Sequence, residues 1–499
     1  MSSIDTSSDA PVDPLADRPP SADSTTTPAG PTCANAESGA AAARAIELAR
    51  RLLDRSTELA ERSERRRARR LGRLLDDADG RELVVRLTDE VLRIGHPATA
   101  ARRFAAIVGE HPPASLGSLD RGLLRAGALA VPRLPRIVMP LVVRRIRSET
   151  AGIVIPADDP ALARHLDRRR ADGVALNVNP LGEAILSDAE ADARTRQVLE
   201  QIERADVDHV SIKVSAIVAH LDALATDDGV ERIVERLRVL FRAATAAGTF
   251  VNLDMEEYRD LELTTAAFMR LLDEPEFRRI DAGIVAQAYL PDAHEAVERL
   301  GVWATRRRTC GGGRIRVRLV KGANLAMERI EAELHGWVPA PYPTKAEVDA
   351  SYKMLLDSLL RPEWADAVLV GVASHNLFDL AWAHLVAVRA GQRDRMRIEM
   401  LEGMAPAQAR AAHDLLGGEI RMYAPVVTDD DFVASLAYLS RRLDENTQPD
   451  NFLRSLFRLA EDRAEFERQA ERFRRSVLDR TTVSRTRRRS RRAIDHDDG

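Results

Sequence analysis

The chain has 499 residues, a formal net charge of −4 and 30% charged side chains, room for one large domain and a smaller companion. This balance points to neither a nucleic-acid binder nor a polyacid. With two cysteines, Cys33 and Cys310, it excludes a disulfide framework and any CxxC metal or redox motif.

Residues 1–38 are rich in Ser, Thr, Pro, Ala and Asp and are expected to be a disordered tail. The start MSSIDTSSDAPVDPLADRPP lacks the basic start and apolar core of a signal peptide. Residues 39–171 read as a helical accessory arm. Its arginine clusters are interleaved with acids and lack aromatics, which favours solvated helix faces over a nucleic-acid surface. The most apolar stretch, GALAVPRLPRIVMPLVV, is broken by prolines and arginines and is too short to span a bilayer. No amphipathic anchor is evident, and a cytoplasmic protein is expected.

From residue 172 the pattern changes. Eight β-rich runs alternate with helical segments: VALNVN (174–179), HVSIKVSAI (209–217), FVNLDME (250–256), GIVAQAY (283–289), RIRVRLV (314–320), VLVGVASHN (368–376), MRIEML (396–401) and IRMYAPV (420–426). This predicts an α/β fold, a (β/α)₈ barrel over 172–460, with a helix and a basic, unfolded tail over 461–499. An open doubly wound sheet is the rival. It normally carries a Gly-rich phosphate turn after its first strand, and NPLGEA is not one.

In such barrels the chemistry sits at the C-terminal strand ends. Those ends read Lys213, Asp254 with Glu256, Gln287 with Tyr289, Arg318 with Lys321, Ser374-His375-Asn376, Glu399 and Tyr423. Any one could be a satisfied structural group; so many together predict a polar, ligand-filled mouth. The chain holds only four lysines, Lys213, Lys321, Lys345 and Lys353, against 74 Lys plus Arg. A lysine at a strand end therefore stands out. After the last strand, Phe432, Leu436, Leu439 and Leu443 share one helical face, and Tyr438, Arg441, Arg442 and Glu445 share another. The second face reads either as a solvated charged surface or as a grip for a carboxylate. His375 is the only histidine at a strand end and has no partner at ligand spacing, so no metal is expected.

These strand ends, in this order, resemble the flavin-dependent proline dehydrogenase family, and most of all the dehydrogenase half of the bifunctional proline utilization A proteins. The carriers are VSIKVSAI, NLDMEEYRDLELT, VAQAYL, VRLVKGAN, YPTKAEVDASY, ASHNLFDLAWA, EMLEGM, RMYAPV and YLSRRLDEN, spread over residues 150–460. The resemblance implies non-covalent FAD, oxidation of L-proline to 1-pyrroline-5-carboxylate, and electrons passed to a membrane quinone by transient contact at the inner face of the membrane. It implies that Arg441, Arg442 and Lys213 hold the proline carboxylate and that Tyr423, Tyr438 and Leu401 wall the ring. Glu445 would order the arginine pair, and Asp254 would stand near the amine. Gln287, Arg318, Lys345, Ser374, His375 and Asn376, with the backbone of Val320, Gly322 and Ala323, match the flavin shell. Lys321 is left as supporting structure.

Two departures stand out. Asn324-Leu325 replaces the Tyr-Trp pair of many members, which removes an aromatic contact with the substrate pocket. The bifunctional relatives continue into an aldehyde dehydrogenase domain, whereas this chain runs into an arginine-rich tail, so the second reaction is not expected here; a separate dehydrogenase that takes the product and a truncated relic both stay open. The rival readings are a flavin-free Schiff-base lyase using Lys213 or Lys321, and an inactive scaffold left by truncation.

Overall fold

The protein is described here by a computed structural model covering residues 31–110, 117–150, 153–181, 185, 187–221, 226–322, 324–429, 431–432, 435, 452–456 and 458–489. A two-residue strand, β1 (Ile155–Pro156), precedes eight longer ones: β2 (Val174–Pro180), β3 (His209–Lys213), β4 (Phe250–Asp254), β5 (Ala282–Gln287), β6 (Ile315–Val320), β7 (Val368–Ala373), β8 (Met396–Leu401) and β9 (Ile420–Val427). All pair in parallel, and β9 bonds to both β8 and β2, closing the expected (β/α)₈ barrel. β1 continues the sheet beyond β8, with Ile155 opposite Val426.

Alternation along each strand sorts the side chains. Val210 and Ile212, Val251 and Leu253, Val317 and Leu319, Val370 and Val372, and Ile398 and Met400 belong to one continuous core. Their neighbours at the intervening positions meet each other across the barrel and are largely polar. Two glycines make room for them. A Cβ on Gly283 would come within 2.2 Å of the Asn252 side chain, and one on Gly371 within 2.3 Å of Glu399. The expected run 209–217 stops as a strand at Lys213, where the chain tightens into the 3₁₀ turn Val214–Ala216.

The two ends of the chain differ from expectation. Helix Pro31–Leu59 begins inside the stretch assigned to a disordered tail. It is not part of an arm either. Ala45, Ala49, Leu52 and Leu53 are buried in the barrel's own core, against helices Leu377–Arg389, Pro406–Leu416 and Arg463–Asp479. The arm proper has a separate core of Leu83, Val91, Phe104, Ile107, Val131 and Met139. At the other end, the basic segment expected to be unfolded is packed as far as Arg489. Arg487 pairs with Glu295 at 2.7 Å, Arg488 donates to the carbonyl of Pro339 at 3.0 Å, and Arg489 stacks 3.6 Å over Trp337. Guanidinium groups here find acids, bare carbonyls and an indole face, and so have partners that a linear reading cannot supply.

Candidate active site

The polar interior centres on Arg318. Its side chain is 4% exposed and lies between two carboxylates: Nη1 donates to Asp254 at 2.7 Å and Nε to Glu399 at 2.5 Å. Nη1 also reaches Ser211 at 3.2 Å, which in turn accepts from Asn177 at 2.9 Å. Burial disfavours the guanidinium charge, but Glu399 and Asp254 outweigh it and hold Arg318 protonated. Two carboxylates already balance it, and what remains is a directed Nη2 without a hydrogen-bond partner.

Asp254, at the end of β4, is the hub of the upper layer. It accepts from Arg318 and from Asn252 at 2.8 Å on one oxygen, and from the Tyr423 hydroxyl at 2.8 Å on the other. Register explains the convergence: Lys213 stands opposite Asp254, and Leu401 opposite Tyr423. Lys213 binds Glu256 at 2.6 Å, two residues past the end of β4. Lys213, Asp254, Tyr423 and Leu401 thus gather on one side of the mouth. Tyr438, Arg441, Arg442 and Glu445 lie outside the described residues, as does Ala323.

The opposite side is built by β5, β6 and β7. Gln287 donates to the carbonyls of Met255 and Glu256, both at 3.2 Å, leaving its buried Oε1 without a partner. His375 Nε2 accepts the Leu401 backbone N–H at 2.9 Å. That bond assigns the ring proton to Nδ1, a buried donor with no partner. Burial drops the imidazole pKa to about 4, so the ring stays neutral. Ser374 and Asn376 are occupied differently. Ser374 Oγ accepts the Asn376 N–H at 3.0 Å, and Asn376 Oδ1 caps helix Leu377–Arg389 through the N–H groups of Phe378 and Asp379. Their oxygens position the turn, and any ligand would meet the Asn376 amide nitrogen. Gly322 adopts φ +115°, where a Cβ would strike the Tyr289 ring at 2.3 Å, so this close approach of chain to ring requires glycine.

Three of the four lysines meet behind β6. Lys321 Nζ lies 2.5 Å from Asp349 and 2.6 Å from Asp379; Lys353 pairs with Asp379 at 2.9 Å, and Lys345 pairs with Asp349. Lys321, despite its burial, is held charged by the two aspartates, which matches its expected supporting role. Lys345 is the most exposed of the three. Burial lowers its pKa to about 8 against the pull of Asp349, with repulsion from Lys321 acting in the same direction as burial. The cluster carries three cations against two anions. Sequence reasoning missed Asp349, Asp379 and Lys353, although the scarcity of lysine and the Lys345/Asp349 spacing were the available signals.

Just beyond β4, Asp260 sits buried beside Glu257, and burial with that neighbour raises its pKa from 3.8 to about 7. Between these values the folded chain holds a proton that the unfolded chain has released, so stability falls as pH rises through this window. Asp260→Asn should remove the penalty. We expect a gain on the order of 2–4 kcal/mol at pH 8 and almost none at pH 4, read from urea unfolding. A gain of equal size at both pH values would refute the assignment.

Comparison with known proteins bears on this geometry. The E. coli bifunctional protein PutA is 29% identical over 366 residues, covering 70% of this chain and 26% of PutA. A proline dehydrogenase of Deinococcus radiodurans is 29% identical over 289 residues, covering 56% of this chain and 81% of that protein. Among solved structures, proline utilization A from Corynebacterium freiburgense superposes with a TM-score of 0.63 at 43% identity, covering 72% of this chain and 35% of that one. The Bdellovibrio bacteriovorus protein gives 0.69 at 27% identity, covering 85% and 44%. The chain thus spans about a quarter of the length of the bifunctional curated relative. The family model for proline dehydrogenase matches residues 162–455, which takes in β2 through β9 and the strand ends described above, and the chain belongs to the proline dehydrogenase family.

Proposed function

We propose that the protein oxidises L-proline to 1-pyrroline-5-carboxylate with bound FAD and passes the electrons to a membrane quinone. The observation that carries this reading is the Arg318–Asp254–Tyr423 assembly at the mouth of a barrel whose sequence matches the family. The residues present fit a flavin. Gln287 Oε1, His375 Nδ1 and Arg318 Nη2 are buried, unpartnered and of mixed donor and acceptor character, as the polar edge of an isoalloxazine requires. The lysine cluster, one positive charge in excess and with Lys345 partly exposed, suits the phosphates. Held there, FAD would supply the hydride acceptor for the ring carbon beside the proline nitrogen.

The chain's own part is positioning and proton handling. Arg441 and Arg442, with Lys213, would grip the carboxylate, so that transfer within the complex is effectively unimolecular. Lys213 is already oriented by Glu256. Asp254, fixed by three hydrogen bonds, cannot swing, and it presents a fixed acceptor environment beside the substrate amine. A Schiff-base lyase using Lys321 needs a neutral amine, and two aspartates at 2.5 and 2.6 Å oppose that. We place the protein in the cytoplasm.

The test is anaerobic addition of L-proline to the purified, yellow protein, which should bleach the flavin. A folded protein that takes up no FAD, or one whose bound flavin stays oxidised, would sink the proposal. Arg442→Met should lower kcat/KM for proline by about ten- to a hundredfold, the effect of losing one charge-assisted hydrogen bond, with flavin content unchanged. Pyrrolidine, lacking the carboxylate, should be a poor substrate that loses little further. Equal losses on both substrates would indicate a structural role for Arg442.

A further inference from the structure

The floor of the barrel, at the end opposite the mouth, carries charge that the site does not use. Strand alternation sets His209 below Ser211, Arg316 below Arg318, Arg397 below Glu399 and Arg421 below Tyr423, so all four stand at interior positions near the N-terminal strand ends. The acids of the floor, Glu419 and Asp208, lie against Arg421 at 2.8 and 3.5 Å. Glu399, one layer up, is held by Arg318 at 2.5 Å. Arg397 uses Nη1 on the carbonyls of Asp394 at 2.8 Å and Met396 at 3.2 Å. Among the described residues neither Arg316 nor Arg397 has an ion-pair partner. A cavity of about 320 Å³ opens at this end, with Ala175, Asp208 and Glu419 in its wall.

Gly283 on β5 stands beside Arg316 and has no side chain, and Arg316 crosses that gap to lie 4.9 Å over the Phe250 ring on β4. It donates no hydrogen bond among the described residues, and its Nε is buried without a partner. The same ring packs against His209, with the two centroids 4.6 Å apart. His209 is 1% exposed, and its Nε2 is likewise buried without a partner. Burial, and after it the nearby charges of Arg421, Arg318 and Arg316, hold that imidazole neutral.

A largely buried guanidinium without a counter-ion is costly, and arginine does not escape the cost by losing its proton. Burial disfavours the Arg316 charge, and Glu399 offsets this only in part. A bound anion would supply the missing partner, since the planar guanidinium offers paired N–H donors to an oxyanion. The donors come from β3, β6 and β8, and so from several directions, which suits four tetrahedral oxygens better than the two of a carboxylate. We propose that the floor of the barrel binds a small tetrahedral oxyanion of the phosphate class, held by Arg316 and Arg397 with the Nε2 proton of His209. Arg421 keeps Glu419 and Asp208. The site lies a strand's length from the mouth, and the proposal stands whether or not proline is the substrate.

Calorimetric titration of the full chain with inorganic phosphate tests this, at an ionic strength matched throughout with NaCl. We expect saturable binding, with acetate about tenfold weaker, and a melting temperature that rises with phosphate as linkage requires. Arg316→Met should weaken phosphate binding by about ten- to a hundredfold, the loss of a charge-assisted pair. Arg397→Gln, at a half-buried side chain, should weaken it about tenfold and carries the test if the first variant does not fold. Lys345→Met, in the lysine cluster at the mouth, should bind phosphate as the parent does. No heat and no melting shift beyond those of NaCl would overturn the proposal, and so would parent-like binding by either floor variant. Loss of binding in Lys345→Met would overturn it too, by placing the anion among the lysines. Acetate bound as tightly as phosphate would overturn the tetrahedral assignment.

Discussion

Arg318→Met should destabilise the protein by about 3–5 kcal/mol and empty the site of flavin. The reason is the uncompensated charge left behind, since removing one partner of a buried ion pair costs far more than the pair contributes. Asp254 and Glu399 are both nearly buried, and without the guanidinium they would face each other across the barrel as unpaired carboxylates. Denaturant unfolding of the apoprotein reads the stability effect, and flavin absorbance the second. Adding Glu399→Gln to Arg318→Met should restore part of the lost stability, because one stranded charge is gone. If the double variant is less stable than Arg318→Met alone, Glu399 is held by something other than the arginine.

Asp379→Asn should have an effect of similar size, about 3–5 kcal/mol, through the lysine cluster. Lys353 is 1% exposed; apart from Asp379 its ammonium reaches the Asp349 carbonyl at 3.3 Å. Lys321 would keep Asp349 but lose its second aspartate. The excess of positive charge would rise from one to two, with Asp349 the one carboxylate of the cluster left to offset it. Combining Asp379→Asn with Lys353→Met should recover most of the loss, and the thermodynamic cycle over the two positions gives their coupling directly. Simple additivity would mean that the two side chains do not act as a pair.

Both predictions concern groups that were only partly legible in the sequence. The strand runs, their order and their polar ends followed from alternation, since a barrel strand shows one face to helices and the other to the interior. Val317 and Leu319 against Arg318 is the pattern in miniature. Glu399 stood at a strand end, but nothing local said that it would meet Arg318 across β7, and Gly371 permits that meeting by having no side chain. Asn177, Ser211 and Asn252 read as mid-strand polar residues of no evident purpose. They are joined only when four strands, β2, β3, β4 and β6, bring them to one axis.

What the sequence by itself determined is the repeating local part: eight strands, their helical connections, and the family motifs at their ends. These depend on short-range periodicity and on residue types within a few positions of each other. The tertiary structure alone decided which charges cancel. It decided that Arg318 is neutralised by two carboxylates, that three lysines share two aspartates, and that the arginines before residue 490 bind to the barrel instead of trailing from it. Electrostatic pairing acts through space over a few ångströms and is indifferent to separation along the chain, as Arg318 and Glu399 show at 81 residues apart. The same holds for the exposed face at residues 121–147. Its prolines and arginines argue against a span when read in line, and only the packing of helices Ser118–Ala130 and Pro135–Thr150 shows which of its apolar side chains are buried and which stay exposed.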